Sequence, residues 1–166
     1  MRKKIIILSA VLMLLVGCSM ANTPTALVED LLSKYQKLDN DINTGINNVL
    51  DEQNLTDEHK DRYRKLLENQ YKNLSYEIKD EQVDGDHATI VVEIEVLDYK
   101  NAISDLTFDS TVYTKDSFDE EKLNRLEATN NKVTYTIDLT LTKDEDGNWR
   151  LDPLTNEQIK KIQGMY

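Results

Sequence analysis

Cysteine is nearly absent from this chain: Cys18 is the only one in 166 residues. A single thiol excludes an intrachain disulfide and any metal site built from several thiolates. Histidine is scarce as well. The two histidines, His59 in the first turn of a predicted helix and His87 beside a predicted turn, are both expected at the surface, and without carboxylates brought by the fold they cannot make a three-ligand zinc site. The five glycines spell no phosphate-cradling loop. No serine stands in a nucleophile-elbow context. Positive charge is in short supply, with 20 Lys and Arg against 31 Asp and Glu and a net charge of −11. Such a surface repels nucleic acid and anionic lipid heads. No cofactor and no catalytic residue is called for by these residues.

Long apolar runs are missing too, with one exception that starts close to residue 1. Arg2, Lys3 and Lys4 precede an almost unbroken apolar stretch from Ile5 to Val16. A bilayer span takes roughly 20 residues, so this run is too short to cross and has the length of an export-signal core. It ends in Leu15-Val16-Gly17-Cys18. Positive start, short apolar core, small residue and cysteine in that order resemble the bacterial lipobox. The resemblance implies that residues 1–17 are a signal peptide and that Cys18 becomes the new N-terminus, its sulfur carrying a diacylglyceryl group. One acyl chain binds a membrane marginally and two bind stably. Cys18 then serves as a covalent anchor, and the expected location is the outer, extracytoplasmic face of the cell membrane. Residues 18–24 would be the lipidated cysteine and its tether, and residues 25–166 a single domain. Loss of Arg2, Lys3 and Lys4 takes the formal charge from −11 to −14, so the lipid rather than charge must hold the domain.

The rest of the chain divides by hydrophobic period. Val28, Leu31, Tyr35, Leu38 and Ile42 recur at steps of three and four, predicting a helix capped by Thr23 with Pro24 in its first turn. Ile46, Val49 and Leu50 extend the face, with a bend or break expected at Gly45. A second helix follows Thr56, with Tyr63, Leu66, Leu67, Gln70 or Tyr71, and Leu74 inward. The period then becomes two. Tyr76 and Ile78, and Ile90, Val92, Ile94 and Val96, predict a hairpin turning at Asp84-Gly85-Asp86. A three-residue loop is expected, because it sets Tyr76 opposite Ile94 and Ile78 opposite Val92 instead of opposite charges. A second hairpin runs from Val133 to Leu141, turns between Lys143 and Gly147, and returns through Trp149 and Leu151. Between the hairpins a polar connection, 99–131, holds a helix starting near Ser117 with Phe118, Leu123 and Leu126 inward. Thr155 to Gln158 reads as the capping box of a closing helix.

These elements predict an α+β fold: N-terminal helices packed on a curved four-stranded antiparallel sheet, with a helical crossover and a short C-terminal helix. The stretches "YKNLSYEIKDEQVDGDHATIVVEIEV" and "KVTYTIDLTLTKDEDGNWRLDPLTNEQIKKIQGMY" resemble the paired blocks of small lipoproteins of Gram-positive-type bacteria and their wall-less relatives. Those proteins are similar to the nuclear transport factor 2-like, or cystatin-like, roll. The resemblance implies that fold and maps no functional residue. Rolls of this shape often enclose a pocket, and Tyr35, Tyr63, Tyr71, Tyr76, Tyr135 and Trp149, all on predicted inward faces, are candidates either for core or for pocket lining.

Thr142 to Asn148, "TKDEDGN", fails as a calcium loop, because Thr142 and Pro153 fall where the first and last carboxylates are needed. Asp144 and Asp146, with Asp84 and Asp86 at the other hairpin tip, are the places where a cation would first be sought. The reading is a membrane-anchored extracytoplasmic lipoprotein with a non-catalytic binding or interaction domain. Its partner would be a basic protein or a small ligand. The alternatives are a small-molecule pocket enzyme of isomerase or hydrolase type and a purely structural surface lipoprotein.

Overall fold

The computed structural model describes residues 22–166; the signal-like run and Cys18 lie outside the described residues. The order is α1 (Pro24–Lys37), α2 (Asn40–Glu52), α3 (Asp57–Lys72), β1 (Ser75–Asp84), β2 (His87–Leu97), α4 (Tyr99–Ala102), α5 (Lys115–Ala128), β3 (Lys132–Lys143), β4 (Trp149–Leu151) and α6 (Asn156–Ile162). The fold is α+β, with one open antiparallel sheet of strand order β1-β2-β3-β4.

Local chemistry sets the helix ends. The Thr23 hydroxyl accepts from the Ala26 N–H at 3.3 Å, and Pro24 stands in the first turn of α1, where its missing N–H costs nothing. The helix does not break at Gly45 as expected. It stops seven residues earlier, at Leu38, whose φ of 52° places it in the left-handed region while its N–H reaches the Lys34 and Tyr35 carbonyls. Asp39 then caps α2 through the Ile42 N–H at 3.0 Å. Gly45 lies inside α2 with open space around it. A strong cap at Asp39 outweighs the modest cost of a glycine within a helix.

The first hairpin pairs Tyr76 with Ile94 and Ile78 with Val92, as the apolar pattern requires, but by a different device. Its loop is two residues long, Gly85-Asp86, between paired Asp84 and His87, with Gly85 at φ 61°. A bulge between Ile78 and Asp80 supplies the one-residue shift that was expected from a longer loop. Sheet burial thus decides the register, and the turn and bulge adjust to it.

The apolar sheet face is covered by α1, which touches β1, β2 and β4, with α3 beside α1 and α2. Val28, Leu32, Ile90, Val92, Ile94 and Leu141 are fully sequestered there. Burying one such side chain is worth roughly 1.5–3 kcal/mol. The opposite face carries Thr134, Thr136, Asp138 and Thr140 of β3, all exposed. Residues 99–131 build a second, smaller core from Leu66, Tyr99, Leu123 and Leu126. As expected, Leu123 and Leu126 of α5 point inward, while Phe118 is half-buried against Phe108 and Tyr113. Thr155 and Gln158 form the expected capping box of α6, which returns along β3.

The two cores are joined by Gln70, fully buried in α3. Its amide donates to the Leu97 carbonyl at 2.9 Å and accepts the Leu97 N–H at 2.8 Å, continuing the sheet's hydrogen bonding at the end of β2. At the other end of the sheet, the Asn22 side chain does the same for β4. It accepts the Trp149 N–H at 2.7 Å and donates to the Trp149 carbonyl at 3.1 Å. Of the expected tether 18–24, residues 22–24 are therefore part of the fold, and Pro24 is buried.

Candidate binding crevice

The aromatic residues singled out from the sequence do not converge on a pocket. Tyr35 and Tyr71 stack edge-to-face at 5.0 Å against the main core, where burial pushes both hydroxyls up from the usual tyrosine range. Trp149 is buried in the same core. Tyr63 lies between the two cores and borders a small crevice of about 220 Å³ with Leu55, Lys115 and Leu123. Tyr76, opposite Ile94, packs partly buried against the main core and borders an open trough of about 260 Å³ with Glu77, Glu93 and Glu95. Tyr135 packs on Tyr166 and donates its hydroxyl to the Tyr166 carbonyl at 2.9 Å. Packing, rather than a shared cavity, accounts for most of them.

His59 corrects the expectation of surface histidines. It is 5% exposed, because α5 crosses the start of α3 and closes over it. Its Nε2 lies 3.1 Å from Glu120 Oε2 and its Nδ1 lies 3.7 Å from Asp116 Oδ1, a separation too long for a hydrogen bond. Arg62, one turn further on, donates to Glu120 at 2.8 Å and grips both Glu127 oxygens at 2.8 Å each. The Asn124 side-chain carbonyl also accepts from Arg62, at 2.8 Å. The Arg62 guanidinium holds the Glu127 carboxyl below its ordinary range, and Arg62 with His59 does the same for Glu120. Arg62 with Glu120 and Glu127 makes this seam a latch between α3 and α5, beside a buried His59 Nδ1 that has no hydrogen-bond partner. His87 is exposed, as expected, with the Thr142 hydroxyl 3.4 Å from its Nδ1.

The Asp144 carboxylate is likewise committed. It accepts the N–H groups of Asp146 at 3.1 Å and Asn148 at 2.9 Å and pairs with Arg150 at 2.8 Å, so it shapes the turn. Those bonds hold its carboxyl below the usual range. Asp84 and Asp86 flank Gly85 at the other tip, where Asp86 pairs with Lys143 at 3.3 Å.

The concavity with the makings of a binding site lies elsewhere, where α3, the end of β2, the end of α5 and the start of β3 meet. It has a volume of about 350 Å³. Leu66, Leu97, Tyr99 and Leu126 supply apolar walls, and Asn69, Asn73, Thr129, Asn130, Glu127 and Lys132 supply the polar rim. Tyr99 is buried with its hydroxyl on the Leu66 carbonyl at 3.2 Å, and burial pushes that hydroxyl up to about 12. The two ionisable rim groups already have partners: Glu127 holds Arg62, and Lys132 reaches Glu95 at 2.6 Å. What remains on the rim is amide and hydroxyl. An apolar floor below amides suits a neutral ligand recognised by hydrogen bonds.

Sequence reasoning did not find this crevice. Asn69 and the capping residue Asn73 stand four residues apart on the side of α3 that carries Leu66, and the Asn73 amide bonds Asn69 at 2.9 Å. That spacing was readable, but nothing in it told that Thr129, Asn130 and Lys132 would come alongside. Among the described residues, no helix is long and apolar enough to cross a membrane. No protein-family model, curated protein or solved structure matches this chain.

Proposed function

We propose that this protein is a lipid-anchored extracytoplasmic binding domain. Its anchor is a diacylglyceryl group on Cys18, and its ligand is a small neutral molecule rich in hydroxyls or amides taken into the α3–α5 crevice. The observation that carries the binding reading is the crevice's makeup: apolar walls, an amide rim, and ionisable groups already engaged in ion pairs. General acid–base chemistry needs a group free to exchange its proton with substrate. The pairing of Glu127 and Lys132 favours retention over turnover. The order of residues 2–18 in the sequence supports the anchor.

Two measurements test this. Intact-mass analysis of the membrane fraction should show a chain starting at Cys18 with a diacylglyceryl increment, and Cys18→Ser should remove the increment and block signal cleavage. An unmodified thiol on the mature wild-type chain would sink the anchor. Thermal shift with a panel of soluble wall oligosaccharides and short neutral peptides should give saturable stabilisation. At 100 times the dissociation constant this is about 2.7 kcal/mol. Asn130→Trp, which fills the rim, should abolish it, whereas stabilisation that survives the substitution would place binding elsewhere.

A further inference from the structure

Asn22 and the crevice are at opposite ends of the domain. Asn22 is pinned by two hydrogen bonds to the backbone of Trp149. Only four peptide steps separate it from Cys18, a reach of at most about 14 Å. Trp149 pairs with Lys143 at the turn end of the second hairpin, and the Lys143 N–H meets the Asp86 carbonyl at 2.9 Å, so both hairpin tips share this end. Leu97 and Lys132, which border the crevice, pair with one another at the far end of the central strands. From His87 to Leu97, β2 spans roughly 33 Å.

We infer that the domain stands on the membrane with its two hairpin tips facing the lipid and the crevice facing away from it. This rests on the Cys18 anchor proposed above and adds its direction. Tether length alone would let the domain lie on its side, but charge opposes that. The loops 84–86 and 143–150 carry five acids and two bases, only a small share of the −14 on the chain after residue 17. The solvent face of the sheet adds Glu77, Glu93, Glu95 and Asp138, offset by Lys79 and Lys132. Lying flat would bring that face within a Debye length, about 8 Å, of anionic headgroups. A short tether at one end and repulsion over the rest hold the long axis upright. The crevice then points outward.

The test uses the full lipidated chain in anionic vesicles. Acylated Cys18 does not react with maleimides, so Glu145→Cys at a tip and Asn130→Cys on the crevice rim each offer one labelling site, both on exposed side chains. A fluorophore at residue 145 should be quenched by headgroup-attached acceptors several-fold more strongly than one at residue 130. Asn22→Ala, which frees the pin, should narrow the difference. Equal quenching at the two positions, or stronger quenching at residue 130, in protein that floats with the vesicles overturns the orientation and leaves the anchor standing. Wild-type protein that does not float overturns both.

Discussion

Gly164 shows how one missing side chain closes the fold. Its φ is 68°, and a Cβ there would run into the Leu97 carbonyl and the Gln70 amide, the two groups that tie the cores together. Its own carbonyl accepts the Lys100 N–H at 2.7 Å, so the C-terminal segment is drawn against the start of the crossover. Gly164→Ala should therefore cost about 2–4 kcal/mol in urea melts, through strain and loss of the Gln70 bonds. Gly45→Ala has the opposite sign. Gly45 is interior to α2 with no neighbour within 4 Å of an added Cβ, so alanine should stabilise by roughly 0.5–1 kcal/mol. Equal effects at the two glycines would mean that the Gly164 approach is not as close as described.

Among the elements, α5 depends most on charge. Its inner side offers Leu123 and Leu126 to the smaller core, and its link to α3 runs through Arg62, Glu120 and Glu127. Both carboxyls are held below their ordinary value of 4.5 by Arg62, with His59 contributing at Glu120. A carboxyl with a depressed folded value stabilises the fold above its ordinary value, and that contribution is lost as pH falls through the depressed one. Arg62→Met should therefore be less stable than wild type at pH 7, and the gap should narrow in urea melts below pH 4. A gap of constant size would show that Arg62 acts through its methylene packing alone. Element limits show where sequence reading stops. Thr23, Thr155 and the two-residue period of β2 and β3 were legible, because caps and strand parity depend on neighbours in the chain. The bulge after Ile78 was not, because it follows from what the main core accepts, and the break at Leu38 was missed although its cause, the Asp39 cap, is local.

Across the whole molecule, the two cores should differ in stability. β2 is central, flanked by β1 and β3 and sealed by α1, whereas the crossover packs mainly on α3. Amide exchange at pH 7 should release α4 and α5 well before β2 and β3, whose amides should open only with global unfolding. Simultaneous exchange of all four elements would show one cooperative unit. The sequence by itself determined the α+β class, the strand parities, the helix caps and the lipobox-like order that ends at Cys18, because each is written in local spacing and residue type. The tertiary structure alone decided that His59 is buried, that the tyrosines are dispersed, and that Asn22 is pinned to Trp149. It also decided that Asn69, Asn73, Asn130 and Lys132 meet around one crevice. Those outcomes join residues up to 127 positions apart, and such pairings depend on which apolar faces bury together rather than on any signal local to the residues concerned.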